Sequence, residues 1–335
     1  MSTTKTNKIG EKTENESSEE KMYLDKALRP EHFDDYIGQE TIKNNLFILL
    51  ESAKNRNSPP EHILFHGPPG LGKTTLAHII ARTLNTNIKI TSGPTLTKTG
   101  DLAAILTNLQ PNDVLFIDEI HRLNKTIEEV LYPAMESGVL DIIIGKGPAA
   151  RSIQLDLPPF TLVAATTRTS LISAPLRSRF SGGSYRLESY TNDELARIVI
   201  RSAKVLKIEI DMISSLEIAK RSRGTPRIAN FYLKRVRDFA DFHKSEINKN
   251  LVDKCLLLLE IDNLGLGKTE IDYLKTINEK FLGGPVGIAT LSAALSEDVG
   301  TLEDVIEPYL LKLGFIDKGI KGRIITDSGK KHVEK

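Results

Sequence analysis

Residues 67–74 read GPPGLGKT, and this stretch decides how the rest of the chain is interpreted. It completes a G-x-x-x-x-G-K-T pattern between the apolar run Ile63-Leu64-Phe65 and good helix formers at residues 75–82. A strand, a glycine-rich loop and a helix N-terminus form the context in which this pattern binds phosphate. Glycines let successive backbone N–H groups point inward, and the helix N-terminus adds partial positive charge. The stretch therefore predicts a phosphate-binding loop in an α/β domain.

The loop also carries side chains suited to a nucleotide with its metal. Lys73 can reach the β- and γ-phosphates, and the Thr74 hydroxyl can ligate Mg²⁺. Residues 265–269 repeat the letters GLGKT, but Asp262 stands where the first glycine belongs and a helical pattern precedes them. We interpret this second copy as a linker turn.

Residues 113–119, DVLFIDE, form the second motif. Four consecutive apolar residues predict a buried parallel strand. Two carboxylates follow at its C-terminal end, where open α/β sheets place their ligands. Asp118 is a candidate Mg²⁺ ligand through water, and Glu119 is a candidate base for the water that attacks the γ-phosphate.

Residues 160–168 predict another buried strand with a polar end. The hydroxyl of Thr167 is placed there to sense the γ-phosphate or the attacking water. Arg177 and Arg179 follow on a short segment, and a guanidinium stays charged and binds phosphate bidentately. The residues alone leave two interpretations open, an arginine finger that reaches a neighbouring subunit and a basic surface patch.

Two apolar runs within residues 140–155 flank a Gly/Pro-containing turn and predict a β-hairpin. Ile142, Ile143 and Ile144 are consecutive, so at least one must face away from a one-sided core. The hairpin is either a protein-binding edge or packed on its own domain.

The pattern becomes helical beyond Tyr190. A helix break at residues 221–225 precedes a new helix at Pro226, which places Arg227 in the first turn. A cation there is unfavourable unless an anion lies opposite, so we predict a γ-phosphate contact. Short helices followed by a glycine-containing hairpin near residues 317–322 predict a winged helix, either binding DNA or simply solvated.

Composition is that of an ordinary globular protein, with 335 residues, 40% hydrophobic and 27% charged. A net charge of +1 means that any DNA contact must come from local patches. The single cysteine, Cys255, favours a reducing compartment, and no membrane span or signal peptide is visible, so we expect a cytoplasmic protein. Residues 1–20 predict a disordered tail.

Together, the motifs resemble the RuvB family of bacterial Holliday-junction branch-migration ATPases, of the AAA+ class, from about residue 28 to about residue 326. The specific stretches are residues 67–75, 92–94, 100–104, 113–123, 131–136, 155–161, 221–230, 235–240 and 281–287.

The resemblance implies a P-loop parallel sheet, a helical lid and a C-terminal winged helix, with domains at residues 21–190, 191–262 and 263–335. It implies ATP and Mg²⁺ as cofactors and a homohexameric ring that pumps duplex DNA in homologous recombination and DNA repair. The implied partners are Holliday-junction DNA, RuvA bound at the hairpin of Ile142, Ile143 and Ile144, and RuvC in the resolving complex.

Site residues follow from the same resemblance. It implies catalytic roles for Lys73, Asp118, Glu119, Thr167 as first sensor, Arg179 as finger and Arg227 as second sensor. It implies nucleotide contacts at Leu28, Arg29, Gly67, Gly70, Gly72, Thr74, Thr75, Glu136, Ser137, Gly138 and Tyr190. Lys318, Lys321 and Arg323 would contact DNA.

The chain departs from the family pattern in three places. Residues 181–184 make the segment behind the finger one residue longer, and residues 318–323 keep the charge of the wing but lose its proline. The N-terminal tail has no usable family counterpart. The sequence leaves two rival functions to consider. One is a clamp-loader-like AAA+ protein, and the other is a scaffold that binds ATP but barely hydrolyses it. The winged-helix pattern disfavours the first and Glu119 the second.

Overall fold

The computed structural model describes residues 27–144 and 151–334. The chain divides into two compact units between Tyr190 and Thr191. The predicted tail at residues 1–20 lies outside the described part. A further boundary after residue 262 falls inside the second unit and stays a prediction.

The first unit alternates helices with strands. Its elements are α1 (Glu40–Arg56), β1 (Ile63–His66), α2 (Lys73–Leu84), β2 (Ile88–Ser92), α3 (Thr99–Thr107), β3 (Val114–Asp118), α4 (Lys125–Glu136), β4 (Val139–Ile144), β5 (Arg151–Asp156), β6 (Thr161–Thr166), α5 (Ala174–Arg177) and β7 (Ser184–Arg186). Short 3₁₀ turns lie at Gly93–Thr95, Ile120–Arg122 and Thr169–Leu171.

Five strands of this unit form one parallel sheet in the order β2-β3-β6-β1-β7. Every residue of β6 is buried, as are four of the five in β3, which explains why both read as uninterrupted apolar runs. In register, His66 lies beside Thr166, and Ser92 lies beside Asp118. The strand carrying the phosphate loop and the strand carrying the Asp-Glu pair therefore flank β6, and all three end at the same edge.

The second unit begins with helices. Its elements are α6 (Asn192–Val205), α7 (Met212–Arg221), α8 (Pro226–His243), α9 (Lys249–Leu258), α10 (Lys268–Lys275), α11 (Ile288–Leu295), α12 (Val299–Thr301), α13 (Glu307–Lys312), β8 (Ile316–Gly319), β9 (Gly322–Ile325) and α14 (Asp327–Val333). Thr191 and Glu194 form a reciprocal capping box at the start of α6. Strands β8 and β9 pair antiparallel as the predicted wing.

Contacts around Arg221 explain the repeated GLGKT letters. The guanidinium binds Glu217, Asp253 and the side-chain oxygen of Asn263. Gly265 has φ +81°, and a Cβ there would overlap the Arg221 carbonyl oxygen. The glycine is thus required by close backbone approach in a loop before α10, and the prediction of a linker turn is confirmed.

Within the described ranges, no helix is both long enough and apolar enough to cross a membrane.

Candidate nucleotide-binding site

Three glycines of the phosphate loop have positive φ, and at two of them a neighbouring group also approaches closely. Gly67 has φ +132°, and a Cβ there would lie 2.7 Å from the Leu187 carbonyl oxygen. Gly72 has φ +103°, and a Cβ there would lie 2.7 Å from the Tyr36 hydroxyl. A side chain at either position would meet both backbone strain and a close neighbour. These contacts are why the glycine spacing fixes the shape of the loop.

Lys73 occupies the first position of α2 and is buried. Its ammonium donates to the carbonyl oxygens of Gly67 and Pro68, at 2.8 Å each. The charge is therefore held inside the loop, next to the electropositive start of α2, whose first turn contains no acidic residue. Thr74 and Thr75 follow in the same turn. This arrangement suits an anion and is unfavourable for a cation.

Two tyrosine hydroxyls contact the backbone of the phosphate loop at one carbonyl oxygen. Tyr36 donates to the Leu71 carbonyl oxygen at 3.3 Å, and the Tyr190 hydroxyl lies 3.1 Å from Tyr36 and 3.3 Å from the same carbonyl. Burial, followed by the neighbouring Tyr190, raises the pKa of Tyr36 well above its usual value. The support of the loop by Tyr36 could not be predicted from sequence. Tyr36 lies 35 residues before Leu71, whose carbonyl it binds, and no local pattern connects the two residues.

The segment before α1 is tied to the end of the unit. The Gln39 side-chain amide donates to the Glu188 carbonyl at 2.7 Å, and the Glu188 N–H donates back to it at 3.1 Å. Leu28 is buried and Arg29 is exposed. These contacts describe a segment that supports the loop, while nucleotide contacts by Leu28, Arg29 and Tyr190 stay predictions.

Asp118 and Glu119 lie where β3 ends. Asp118 accepts a hydrogen bond from the Glu119 N–H at 2.9 Å, and Glu119 has φ +52°, an unusual value for a residue with a side chain. The turn is held by its neighbour: a Cβ at Gly93 would overlap the Glu119 carbonyl oxygen. The glycine at residue 93 thus lets the turn after β2 pack directly against the acidic pair.

A histidine lies between the Glu119 carboxylate and a threonine hydroxyl. His121 Nε2 lies 3.3 Å from Glu119, and His121 Nδ1 lies 2.9 Å from the hydroxyl of Thr166, the last residue of β6. Burial lowers the pKa of His121, more than Glu119 raises it. Thr167, the residue predicted as sensor, directly follows Thr166 and is partly exposed. Two adjacent threonines at a strand end gave no signal to choose between them.

Arg179 is held by its own chain. Its guanidinium lies 4.4 Å from the ring centre of Tyr132, forms a 2.9 Å ion pair with Glu136 and donates to the Pro175 carbonyl at 2.6 Å. Of the two predicted finger candidates, Arg177 is the more exposed. Glu136, a predicted nucleotide contact, therefore meets Arg179 here, and Ser137 and Gly138 follow it at the end of α4.

The longer segment behind Arg179 packs closely on the unit. Gly182 donates to the His62 carbonyl at 2.9 Å, and a Cβ on Gly182 would lie 2.5 Å from the Glu61 carbonyl oxygen. Gly183 has φ +118° and donates to Phe180 at 3.1 Å. The extra length is thus accommodated by glycines in a turn that enters β7.

Comparison with known proteins agrees with this geometry. Three family models match in succession: the Holliday junction DNA helicase RuvB P-loop domain at residues 28–186, the RuvB AAA lid domain at residues 190–262 and the RuvB C-terminal winged helix domain at residues 263–334. The Holliday junction branch migration complex subunit RuvB of Fusobacterium nucleatum is 54% identical over 313 residues, which are 93% of this chain and 94% of that protein.

The chain belongs to the RuvB family. Among solved structures, the Thermotoga maritima RuvB Holliday junction branch migration motor is 50% identical, with a TM-score of 0.83 over 92% of this chain and 98% of that one. A single-substitution variant of the same protein gives a TM-score of 0.84. The predicted fold class, a P-loop parallel sheet with a lid and a winged helix, is confirmed.

The hairpin that the RuvB resemblance assigns to a protein partner is formed by β4 and β5. Leu140 is buried, whereas Ile153 and Leu155 on β5 are 43% and 38% exposed. Ile142, Ile143 and Ile144 lie in β4, but their side chains and the whole of residues 145–150 lie outside the described part. Partner binding there stays a prediction.

Arg227 occupies the first turn of α8, as predicted, and its side chain is exposed. No acidic residue lies in that turn, and Thr225 at the N-cap makes no side-chain capping bond. The charge of Arg227 is therefore unfavourable with respect to the helix dipole. The role of Arg227 as second sensor stays a prediction.

One residue that the RuvB pattern assigns to DNA lies in a buried ion pair of the wing. Arg323 is buried, and it donates to Glu307 at 2.7 and 3.1 Å and to Glu303 at 2.8 Å. Glu307 is itself buried and also accepts from Tyr273 at 2.9 Å, so it requires a cation beside it. The Arg323 guanidinium is therefore held by two acids of its own unit, and its predicted DNA contact stays a prediction.

The other two wing cations differ from each other. Lys318 is exposed but forms ion pairs with Glu303 at 3.0 Å and Glu307 at 3.5 Å. Lys321 lies in the two-residue turn between β8 and β9, next to the fully exposed Ile320. Of the three predicted DNA contacts, Lys321 is the one placed at the tip.

Proposed function

We propose that this chain is the ATP-driven motor of branch migration at Holliday junctions. One observation carries the proposal: in a member of the RuvB family, a complete phosphate loop and an Asp-Glu pair follow the two strands that flank β6, at one sheet edge. Such an edge is where P-loop enzymes bind and hydrolyse nucleotide. The curated relative is named as a subunit of a branch migration complex, which supports the same role here.

Nucleotide phosphates would be bound by the loop and by Lys73, whose ammonium exchanges the carbonyls of Gly67 and Pro68 for phosphate oxygens. Further contacts are assigned to Leu28, Arg29, Gly70, Gly72, Thr75, Glu136, Ser137, Gly138 and Tyr190. These positions come from the family resemblance and remain open to test.

Thr74 and Asp118 fit Mg²⁺, because a hydroxyl and a carboxylate are the hard oxygen ligands that this ion prefers. When bound with ATP, Mg²⁺ would offset the negative charge that develops on the phosphate oxygens. Asp118 already directs one oxygen toward the Glu119 N–H, which restricts the orientation of its carboxylate.

Glu119 would orient and deprotonate the attacking water, and Thr167 and Arg227 would sense the γ-phosphate. Arg179 would act on the nucleotide of a neighbouring subunit in a homohexameric ring. To do so it must leave Glu136 or carry that ion pair into the interface.

DNA and protein partners complete the proposal. Lys321 would contact the phosphate backbone of duplex DNA, with Lys318 beside it. RuvA would bind the hairpin of β4 and β5, whose exposed Ile153 and Leu155 provide an apolar surface. RuvC would join in the resolving complex.

The test is ATP-dependent branch migration of a synthetic four-way junction, with and without RuvA. Migration that requires ATP and Lys73 and increases with RuvA would establish the motor. Hydrolysis without junction movement, even with RuvA present, would contradict the proposal and favour a clamp-loader-like activity. ATP binding with negligible turnover would instead favour a scaffold.

A further inference from the structure

A chain of polar contacts, two hydrogen bonds and one close charge contact, leads from the end of β6 to the proposed catalytic base. The Arg168 N–H donates to the Thr166 hydroxyl oxygen at 3.0 Å, and that hydroxyl lies 2.9 Å from His121 Nδ1. The opposite ring nitrogen, Nε2, lies 3.3 Å from the Glu119 carboxylate. Four residues are thus linked in sequence across the gap between two neighbouring strands.

The donors and acceptors give this chain one direction. Glu119 as a carboxylate can only accept, so a hydrogen bond across the 3.3 Å separation requires the proton on His121 Nε2. A neutral imidazole then has an unprotonated Nδ1, which accepts the hydroxyl proton of Thr166. The Thr166 hydroxyl can donate its proton to Nδ1 while one of its two lone pairs accepts the Arg168 N–H. Every member therefore has a consistent role.

Burial keeps the histidine in the neutral form that this pattern needs. The His121 side chain is 7% exposed, and the cost of burying its charge lowers its pKa. Thr166 is fully buried between β3 and β1. The 3₁₀ turn that carries His121 is itself fixed, because Gly93 packs against its first carbonyl, that of Glu119.

We propose that His121 is a positioning residue for Glu119 and that Thr166 sets the tautomer of His121. The inference rests on the proposed ATPase function and concerns the same site. By fixing Glu119 Oε2, the histidine leaves the other carboxylate oxygen to face the attacking water. Thr166 directly precedes Thr167, so a shift of the β6 end on γ-phosphate binding passes to the base through these hydrogen bonds.

The experiment compares Thr166→Val with Thr166→Ser in the full-length chain. Valine keeps the volume but removes the hydroxyl, whereas serine keeps the hydroxyl. We expect Thr166→Val to lower kcat for ATP by about tenfold or more without changing nucleotide affinity, and Thr166→Ser to restore most of the loss. Arg122→Ala, at an exposed neighbour of His121, is the matched control and should behave as wild type.

His121 supplies the second pair of variants. His121→Phe removes both ring nitrogens and should lower kcat as much as Thr166→Val, while His121→Gln retains a donor near Nε2 and should lose less. If the two residues act through one chain, adding Thr166→Val to His121→Phe lowers kcat no further. If kcat of the double variant instead falls by the product of the two single losses, the two residues act independently and the inference is overturned.

Two further results separate this inference from the proposed function. Wild-type turnover with unchanged kcat in Thr166→Val and His121→Phe would overturn the positioning role alone. A loss confined to nucleotide affinity, measured with a fluorescent ATP analogue, would also overturn it. Absence of turnover in the wild-type protein would overturn the proposed function and the inference with it.

Discussion

The phosphate loop and the wing differ in how far a cation can be interpreted from sequence. At the loop, Lys73 lies inside the backbone curve that its motif predicts. At the wing, Arg323 and Lys318 were predicted to face DNA, yet both bind Glu303 and Glu307. The loop is fixed by glycines with positive φ next to the lysine, whereas the wing cations are directed by acids up to 20 residues away. The spacing of residues in a motif predicts the conformation of the backbone, but it does not predict which residue pairs with a charged side chain.

The largest effect in this comparison is expected at Arg179. This residue was predicted to act at the nucleotide site, but its guanidinium forms an ion pair with an acid of its own chain, as the wing cations do. Arg179→Ala should lower ring-dependent ATP hydrolysis by about 10³-fold while nucleotide binding is kept, since an arginine finger acts in the transition state. Steady-state hydrolysis in mixed rings of wild-type and variant subunits measures it. Mixed rings whose rates merely average would remove Arg179 from the finger role.

Lys73→Ala should lower ATP turnover by roughly 10²- to 10³-fold, because a charged donor to the transferring phosphate is lost. The matched control is Lys268→Ala, which removes the exposed lysine of the second GLGKT and should leave turnover unchanged. Equal effects of the two substitutions would mean that the letters alone, without the strand and helix around them, decide phosphate binding.

Arg323→Met should destabilise the second unit by about 3 kcal/mol, because it leaves the buried Glu307 carboxylate without its main cation. Chemical denaturation followed by circular dichroism measures the change. Lys321→Met is the control on the same hairpin and should unfold as the wild type does. An Arg323 variant of wild-type stability that binds DNA less tightly would restore the original prediction for this residue.

Lys321→Ala has the smallest expected effect, a several-fold loss of DNA affinity and a salt slope of log affinity shallower by about one. Fluorescence anisotropy with duplex DNA at several salt concentrations gives both values. A slope equal to that of the wild type would show that the tip of the wing does not contact phosphate.

Most of the fold could be predicted from sequence. The strands at residues 114–118 and 161–166 read as buried because each is apolar almost throughout, and the start of α6 is marked by its capping box. Such features are local, and periodicity and capping record them directly.

The parts that could not be predicted depend on contacts between distant residues. Tyr36 meets the loop 35 residues later, and Thr166 meets His121 across 45 residues. Thr166 and Thr167 carry the same hydroxyl, and only the pleat of β6 decides which one is buried next to the base. The acidic partners of Arg323 and Lys318 could not be predicted for the same reason, since the buried acid Glu307 lies on a helix.

The ion pairs inside the wing also affect how binding measurements are interpreted. Mobile ions weaken attraction between exposed charges, but they have little access to a guanidinium and a carboxylate that are both more than nine-tenths buried. Strands β8 and β9 should therefore keep their shape at ionic strengths that release DNA. Salt-dependent dissociation then reports the contact between protein and nucleic acid, and not a loss of structure in the hairpin that makes it.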